Sequence, residues 1–217
     1  MPSAASTPRL ITYRMRLRVT AKRVRREGIN LDGREKMARI LNKRPYAPGV
    51  HGPKGFSRMT DYGKQLREKQ RAKLVYGVME KQFRNYFEKA VRVKGDTAAT
   101  LVRLLETRLD NAVFRAGFAK TRAAARQLVS HNHIDINGKP VNIPSYTVRP
   151  GEVISIRETK KTKKNWKQFI EATTGVETPS WIATDVKQLS AKVVSLPMGD
   201  ELKQVFEPQR IVEFYSR

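Results

Sequence analysis

Cysteine is absent from the 217 residues. That excludes disulfide frameworks, thiolate zinc sites and thiol nucleophiles, and agrees with a reducing compartment. Long apolar runs are absent too. No stretch approaches the roughly 18 apolar residues of a spanning helix, and the opening MPSAASTPRLITYRMRLRV lacks the apolar block of a secretory signal. Histidine is limited to His51, His131 and His133, and the carboxylates are scattered. His131 and His133 alone make a poor ligand pair where three or four are needed, so no metal site is expected. No GxxxxGK[ST], GxGxxG, HExxH or GxSxG run occurs, so phosphate-cradling, dinucleotide, zinc-protease and hydrolase chemistries have no starting point. No catalytic residue and no cofactor is expected. Acidic residues are in deficit, at 20 against 44 Lys plus Arg, which leaves a formal net charge of +24.

That excess calls for a polyanionic partner. Before Leu105 there are 26 basic and 8 acidic residues, and after it 18 and 12. The basic start is rich in Arg (Arg9, Arg14, Arg16, Arg18, Arg23, Arg25, Arg26, Arg34, Arg39, Arg44), the residue that forks onto phosphate and stacks on bases. A helix lying on an anionic membrane needs a broad apolar face, and residues 14 to 28 offer only Met15, Leu17, Val19 and Val24. Nucleic acid is therefore the expected partner, not a membrane.

Local patterns divide the chain. Residues 1–43 read as an extended basic arm with short helical pieces, broken at Gly28 and Asp32-Gly33. Residues 44–59, RPYAPGVHGPKGFSRM, hold three Pro and three Gly and must form a shaped loop. In it Tyr46 and His51 are placed either to stack on bases or to pack the loop. Thr60 or Asp61 caps a helix that stops at Gly77 and carries Lys64, Arg67, Lys69, Arg71 and Lys73 between its apolar positions. A second helix, Glu80 to about Val93, carries a core stripe of Phe83, Phe87 and Ala90. One further helix is expected over 97–116, ending at Gly117. A shorter one runs from Thr121 to Ser130 with Arg122, Arg126, Ser130 and His133 on a basic face and Ala124, Ala125, Leu128 and Val129 inside. Asn137-Gly138 marks a type I′ hairpin in IDINGKPV, Pro150-Gly151 a type II turn, and Val153 to Arg157 a strand with Ile154 and Ile156 on one face. A helix around Trp166, Phe169 and Ile170, a strand at Val193, Val194 and Leu196, and an apolar end with Ile211, Val212, Phe214 and Tyr215 complete the pattern. The fold class is α+β and mostly helical.

Three blocks carry a resemblance. RPYAPGVHG (Arg44 to Gly52), the run Asp61 to Phe87, and Glu106 to Ile156, with the terminal EFYSR, resemble the bacterial-type ribosomal protein S-four family, in its form without the N-terminal cysteines and their zinc. The resemblance implies three parts. These are a basic arm (1–43), a helical rRNA-binding domain (44–97, completed by 165–217), and an inserted RNA-binding module of two helices and a small antiparallel sheet (98–164). It implies a non-enzymatic, cytoplasmic ribosomal protein that binds small-subunit rRNA at a multi-helix junction in the 5′ region, nucleates assembly and contributes to translational accuracy. The implied neighbours are the fifth and third small-subunit proteins and messenger RNA at the entry channel. By the same resemblance Lys120, Thr121, Arg122, Arg126, Gln127, His131, His133, Asn137, Gly138 and Lys139 face RNA. The arm, the loop and the Asp61 helix would add Arg25, Arg26, Arg44, Tyr46, His51, Lys64, Arg67, Lys69, Arg71 and Lys73. The alternative is an RNA-modifying enzyme or RNA chaperone that uses the same module. Arg122→Ala and Arg126→Ala are each expected to weaken rRNA binding by about 1 kcal/mol or more if they form charge-assisted bonds to phosphate.

Overall fold

A computed structural model describes residues 19–55, 59–161, 178–185, 188–202 and 204–217. The helix expected around Trp166, Phe169 and Ile170 lies outside them, as do Arg9, Arg14, Arg16 and Arg18. In chain order the elements are α1 (Ala21–Glu27), α2 (Glu35–Lys43), a 3-10 turn (Gly52–Lys54), α3 (Asp61–Tyr76), α4 (Glu80–Arg92), α5 (Thr97–Glu106), α6 (Leu109–Arg115), α7 (Arg122–Ser130), β1 (Ile134–Ile136), β2 (Lys139–Pro140), β3 (Val153–Ile156), α8 (Glu158–Lys161), β4 (Ile182–Asp185), β5 (Ser190–Val193), a 3-10 turn (Gly199–Leu202) and α9 (Pro208–Tyr215).

Capping chemistry sets several of these boundaries. The Thr60 hydroxyl accepts from the Gly63 N–H at 3.2 Å and Gly77 closes α3 in the left-handed region. Thr121 does the same for α7, accepting from the Ala124 N–H at 3.2 Å. Asn137 and Gly138 both take positive φ, as the I′ turn between β1 and β2 requires. The α4 stripe of Phe83, Phe87 and Ala90 is buried as its spacing implies.

The structure corrects two expectations about elements. The helix expected over 97–116 is two, because the chain leaves helical geometry at Thr107–Arg108. There the backbone bonds a neighbouring segment: the Val148 N–H donates to the Thr107 carbonyl at 2.8 Å and the Leu109 N–H to the Tyr146 carbonyl at 2.7 Å. The described part of the arm is helical as expected but not extended. Val24, Leu31 and Met37 are buried, and Arg71 on α3 grips Glu27 at the end of α1 at 3.0 Å.

Two apolar cores result. One gathers Leu31, Ala72, Leu74, Val75 and Tyr76 of α3, Phe83 and Phe87 of α4, Leu101, Val102 and Leu105 of α5, and Phe206 and Ile211 near the C-terminus. The other gathers Leu109 and Val113 of α6, Ala125 and Val129 of α7, the inward residues of the sheet, and Trp181. The break at residues 107–108 is what lets a continuous apolar pattern serve both. The packing also differs from the division by residue number given above. Helix α5 belongs with the first core, and β4 and β5 join the module's antiparallel sheet, ordered β2-β1-β3-β5-β4, through pairings such as Ile154 with Ala191. Among the described residues after 164, the last stretch, ending in α9, returns to α3 and α5.

Candidate nucleic-acid interface

The twenty cations and polar groups singled out by sequence separate into an inner and an outer set. On α3 the inward turn is pronounced. Lys69 and Lys73, with side chains 8% and 9% exposed, bond the two oxygens of Glu80 at 2.9 and 2.6 Å. Arg71 bonds Glu27 and Glu68, and Arg67 lies 3.7 Å from Glu27. Burial pushes the Glu80 carboxyl up, but the hydrogen bonds from Lys73, Lys69 and Tyr215 outweigh it and hold the group at about 2. The Lys69 ammonium also sits 4.2 Å from the centre of the Phe214 ring, and Tyr215 donates to Glu80 at 2.8 Å, so the terminal EFYSR is fastened to α3 and α4. The alternation of cations along this helix therefore reflects pairing inside the protein as much as a face for RNA. Lys64 remains exposed beside Asp61.

Arg122 is likewise turned in. Its Nε donates to Asn111 Oδ1 at 2.7 Å, its guanidinium lies 4.5 Å from the Phe114 ring centre and 5.3 Å from that of Tyr76, and its side chain is 17% exposed. Burial lowers its pKa, against the opposing pull of Tyr76 and Glu106. Arg126 reaches back across the seam, donating from Nη1 to the Gly77 carbonyl at 3.0 Å. The basic face drawn from one-turn spacing is thus rotated toward the protein. Side chains at 122 and 126 lie over the edge of the seam, and Lys120, Ala123, Gln127 and His131 form an exposed stripe on this segment.

The outer set is built on rigid supports. Thr121 caps α7, Gln127 and His131 follow one turn apart on its open side, and the His131 and His133 rings stack with centroids 6.4 Å apart. Gly138 and Lys139 are exposed at the hairpin tip, whose geometry is locked by the Asn137 side chain accepting from the Val153 N–H at 2.9 Å. In the Pro/Gly loop His51 and Arg44 are exposed. Arg25 is used to build that loop: it donates to the Tyr46 and Ala47 carbonyls at 3.2 and 3.3 Å and lies 4.9 Å from the Tyr46 ring centre. Gly52 is buried there, and a Cβ at this position would stand 1.8 Å from the Ala47 carbonyl oxygen, so the close approach requires glycine. Arg26 points outward from α1.

Sequence reasoning missed a polar hub in the seam between the two cores. Glu106, 1% exposed, accepts from Tyr76 Oη at 2.6 Å, Asn111 Nδ2 at 2.8 Å, Arg115 Nε at 2.9 Å and Nη2 at 3.1 Å, and Gln204 Nε2 at 3.1 Å. Beside it Arg108, also 1% exposed, forks onto Asp110 at 3.0 and 2.6 Å and donates to Tyr86 Oη at 2.7 Å. Burial raises the Glu106 pKa, yet Arg115 and its neighbours bring the net below the ordinary carboxylate value. Burial and the Glu106 charge push the Tyr76 phenol well up. The available signal was the run ETRLDN (Glu106 to Asn111), polar residues interrupting an otherwise apolar helical pattern.

Among the described residues, no three of His, Cys, Asp and Glu are grouped to hold a metal ion, and no helix is long and apolar enough to cross a membrane. The arrangement offers side-chain ammonium, amide and imidazole groups on fixed helical and hairpin supports, which is the chemistry of phosphate, 2′-hydroxyl and base contacts.

Two family models match in tandem. The Ribosomal protein S4/S9 N-terminal domain covers residues 17–106 and the S4 domain covers residues 107–154. The boundary between them falls directly after Glu106. The chain is 51% identical over 196 residues to a small ribosomal subunit protein uS4 of Roseiflexus sp. (strain RS-1), covering 89% of this chain and 94% of that one. It is 48% identical to those of Chloroflexus aurantiacus (strain ATCC 29366 / DSM 635 / J-10-fl), over 198 residues with 89% and 94% covered, and of Natranaerobius thermophilus, over 177 residues with 82% and 85% covered. With both domain models in order and such identity over nearly the full length of these relatives, the chain belongs to the small ribosomal subunit protein uS4 family.

Proposed function

We propose that this chain binds small-subunit rRNA through the outer set of residues, on two supports at once. The module contributes Lys120, Gln127, His131 and the hairpin tip Asn137, Gly138 and Lys139, with Arg126, Thr121 and His133 at its margin. The helical body contributes Arg26, Arg44, His51 and Lys64. As a member of its family the chain is a structural, non-enzymatic constituent of the small ribosomal subunit, located on the ribosome. The observation that supports the surface assignment is the exposed stripe at positions 120, 123, 127 and 131 beside a hairpin with an exposed lysine. This stripe is left outward while neighbouring cations are consumed by internal carboxylates. Arg25, Tyr46, Arg67, Lys69, Arg71, Lys73 and Arg122 act on RNA chiefly by shaping these supports.

The finer role follows from the resemblance: primary binding at a multi-helix junction of the 5′ region, nucleation of assembly, contact with the fifth and third small-subunit proteins, a place beside messenger RNA at the entry channel, and a contribution to accuracy. The test is the binding of a 5′-region transcript by the Lys120→Ala/Lys139→Ala double variant. Two lost phosphate contacts lower affinity at least tenfold and make the salt dependence shallower by about two phosphate equivalents. An unchanged affinity and slope would remove the module stripe from the interface.

A further inference from the structure

We propose that the Glu106 hub is a positioning device that holds the body and the module at a single relative orientation, so that one folded RNA is gripped by both at once. This rests on the RNA-binding function proposed above. The two apolar cores do not merge, and the residues buried between them are polar: Glu106, Thr107, Arg108, Asp110 and Asn111. An apolar seam tolerates sliding, whereas a dry seam of directional bonds does not, since each displaced donor or acceptor is left buried without a partner. Units joined within a chain otherwise move relative to one another.

The donors to Glu106 come from both sides. Tyr76 of α3 and Gln204 belong to the body, and Asn111 and Arg115 of α6 belong to the module, with Arg122 of α7 3.9 Å away. Arg108 spans the seam in the same way, from Asp110 to Tyr86 of α4. The carboxylate thereby fills its acceptor positions with groups from both units, and only one orientation satisfies all of them. For a ligand that touches both surfaces, the second contact is intramolecular, and its effective concentration falls as the angular spread between the surfaces grows. Glu106 does not touch RNA in this account; it acts through the surfaces that it aligns.

The absence of cysteine makes the test clean. Spin labels are placed at Lys89→Cys on α4 and Ser145→Cys before β3, both exposed, in the parent, Glu106→Gln and Tyr76→Phe backgrounds. Interlabel distances are measured beside binding to a 5′-region rRNA transcript and to an unrelated duplex. Glu106→Gln keeps the volume but removes the charge and turns an acceptor into a donor. It broadens the distance distribution and lowers transcript affinity at least tenfold, with duplex affinity changed less than twofold. Tyr76→Phe removes one hydroxyl and gives the same pattern at about threefold, which also decides the matter if Glu106→Gln does not fold. A distribution as narrow as the parent's, or equal losses for transcript and duplex, overturns the positioning role. A parent that binds transcript and duplex alike refutes the RNA-binding function itself, before any variant is compared.

Discussion

Arg122→Ala separates the inner from the outer set of cations. On one-turn spacing alone it would cost RNA affinity and leave stability untouched. In the structure it removes a charged hydrogen bond to Asn111 Oδ1 at 2.7 Å and a guanidinium lying over Phe114 and Tyr76. A charged hydrogen bond contributes about 1.5–3 kcal/mol, and each ring contact adds about 0.5–1 kcal/mol. The deletion also leaves Asn111 Oδ1 without this donor and takes a cation from beside Glu106. Allowing for overlap between these contributions, the variant loses about 3 kcal/mol, the low end for removing one partner of a buried ion network. With a urea slope of about 2–3 kcal/mol/M, the unfolding midpoint falls by about 1–1.5 M. Arg122→Lys recovers little, because an ammonium cannot reach Asn111 Oδ1 while covering both rings. Urea melts followed by circular dichroism read the midpoint, and RNA binding measured well below it reads the interface. A midpoint within about 0.3 M of the parent, together with a tenfold loss of RNA affinity, would refute the inward placement.

Gly52→Ala puts a methyl group where the Ala47 carbonyl stands at 1.8 Å, so residues 44–55 must rearrange. Limited proteolysis should cut this loop faster than in the parent, while the stability of the rest of the chain changes by less than about 1 kcal/mol. Glu80 is held at about 2, below the ordinary 4.5. A depressed carboxylate stabilises the fold above the unfolded-state value, and that contribution is lost as pH falls from 4.5 toward 2. Because the side chain is 47% exposed, solvent screening leaves about 1 kcal/mol. Stability measured against pH should show a flatter acid limb for Glu80→Gln. Glu106→Ala removes the shared acceptor of Tyr76, Asn111 and Arg115, leaving the buried Tyr76 hydroxyl without it, and should cost about 3–5 kcal/mol in a urea melt.

Capping and turn chemistry made much of the fold legible from the sequence. Thr60, Gly77, Thr121 and Asn137-Gly138 act within a few residues, so their signals survive without tertiary context. The break at Thr107–Arg108 was not legible, because its cause is a bond to residues 146–148, some forty positions away and invisible to local periodicity. No strand was expected over Ile182–Asp185, and the strand expected at Val193, Val194 and Leu196 forms earlier, over Ser190–Val193, because strand pairing is a long-range choice. For the site, charge counting found the right residue types but not their direction. Lys69 and Lys73 look identical to RNA-facing lysines until Glu80, eleven and seven residues on, is seen to claim them. Lys120, Gln127, His131 and Lys139 are exposed, and α7 carries no Asp or Glu of its own to turn a cation inward.

Recognition of one folded rRNA shape must exceed the general attraction between a +24 chain and phosphate. A salt titration of binding to a 5′-region small-subunit rRNA transcript, run beside an unrelated duplex of equal length, tests it most directly. Shape recognition gives tighter binding to the transcript at every salt concentration, with a slope reflecting several phosphate contacts. Coincident curves would contradict it, leaving net charge alone to explain the binding.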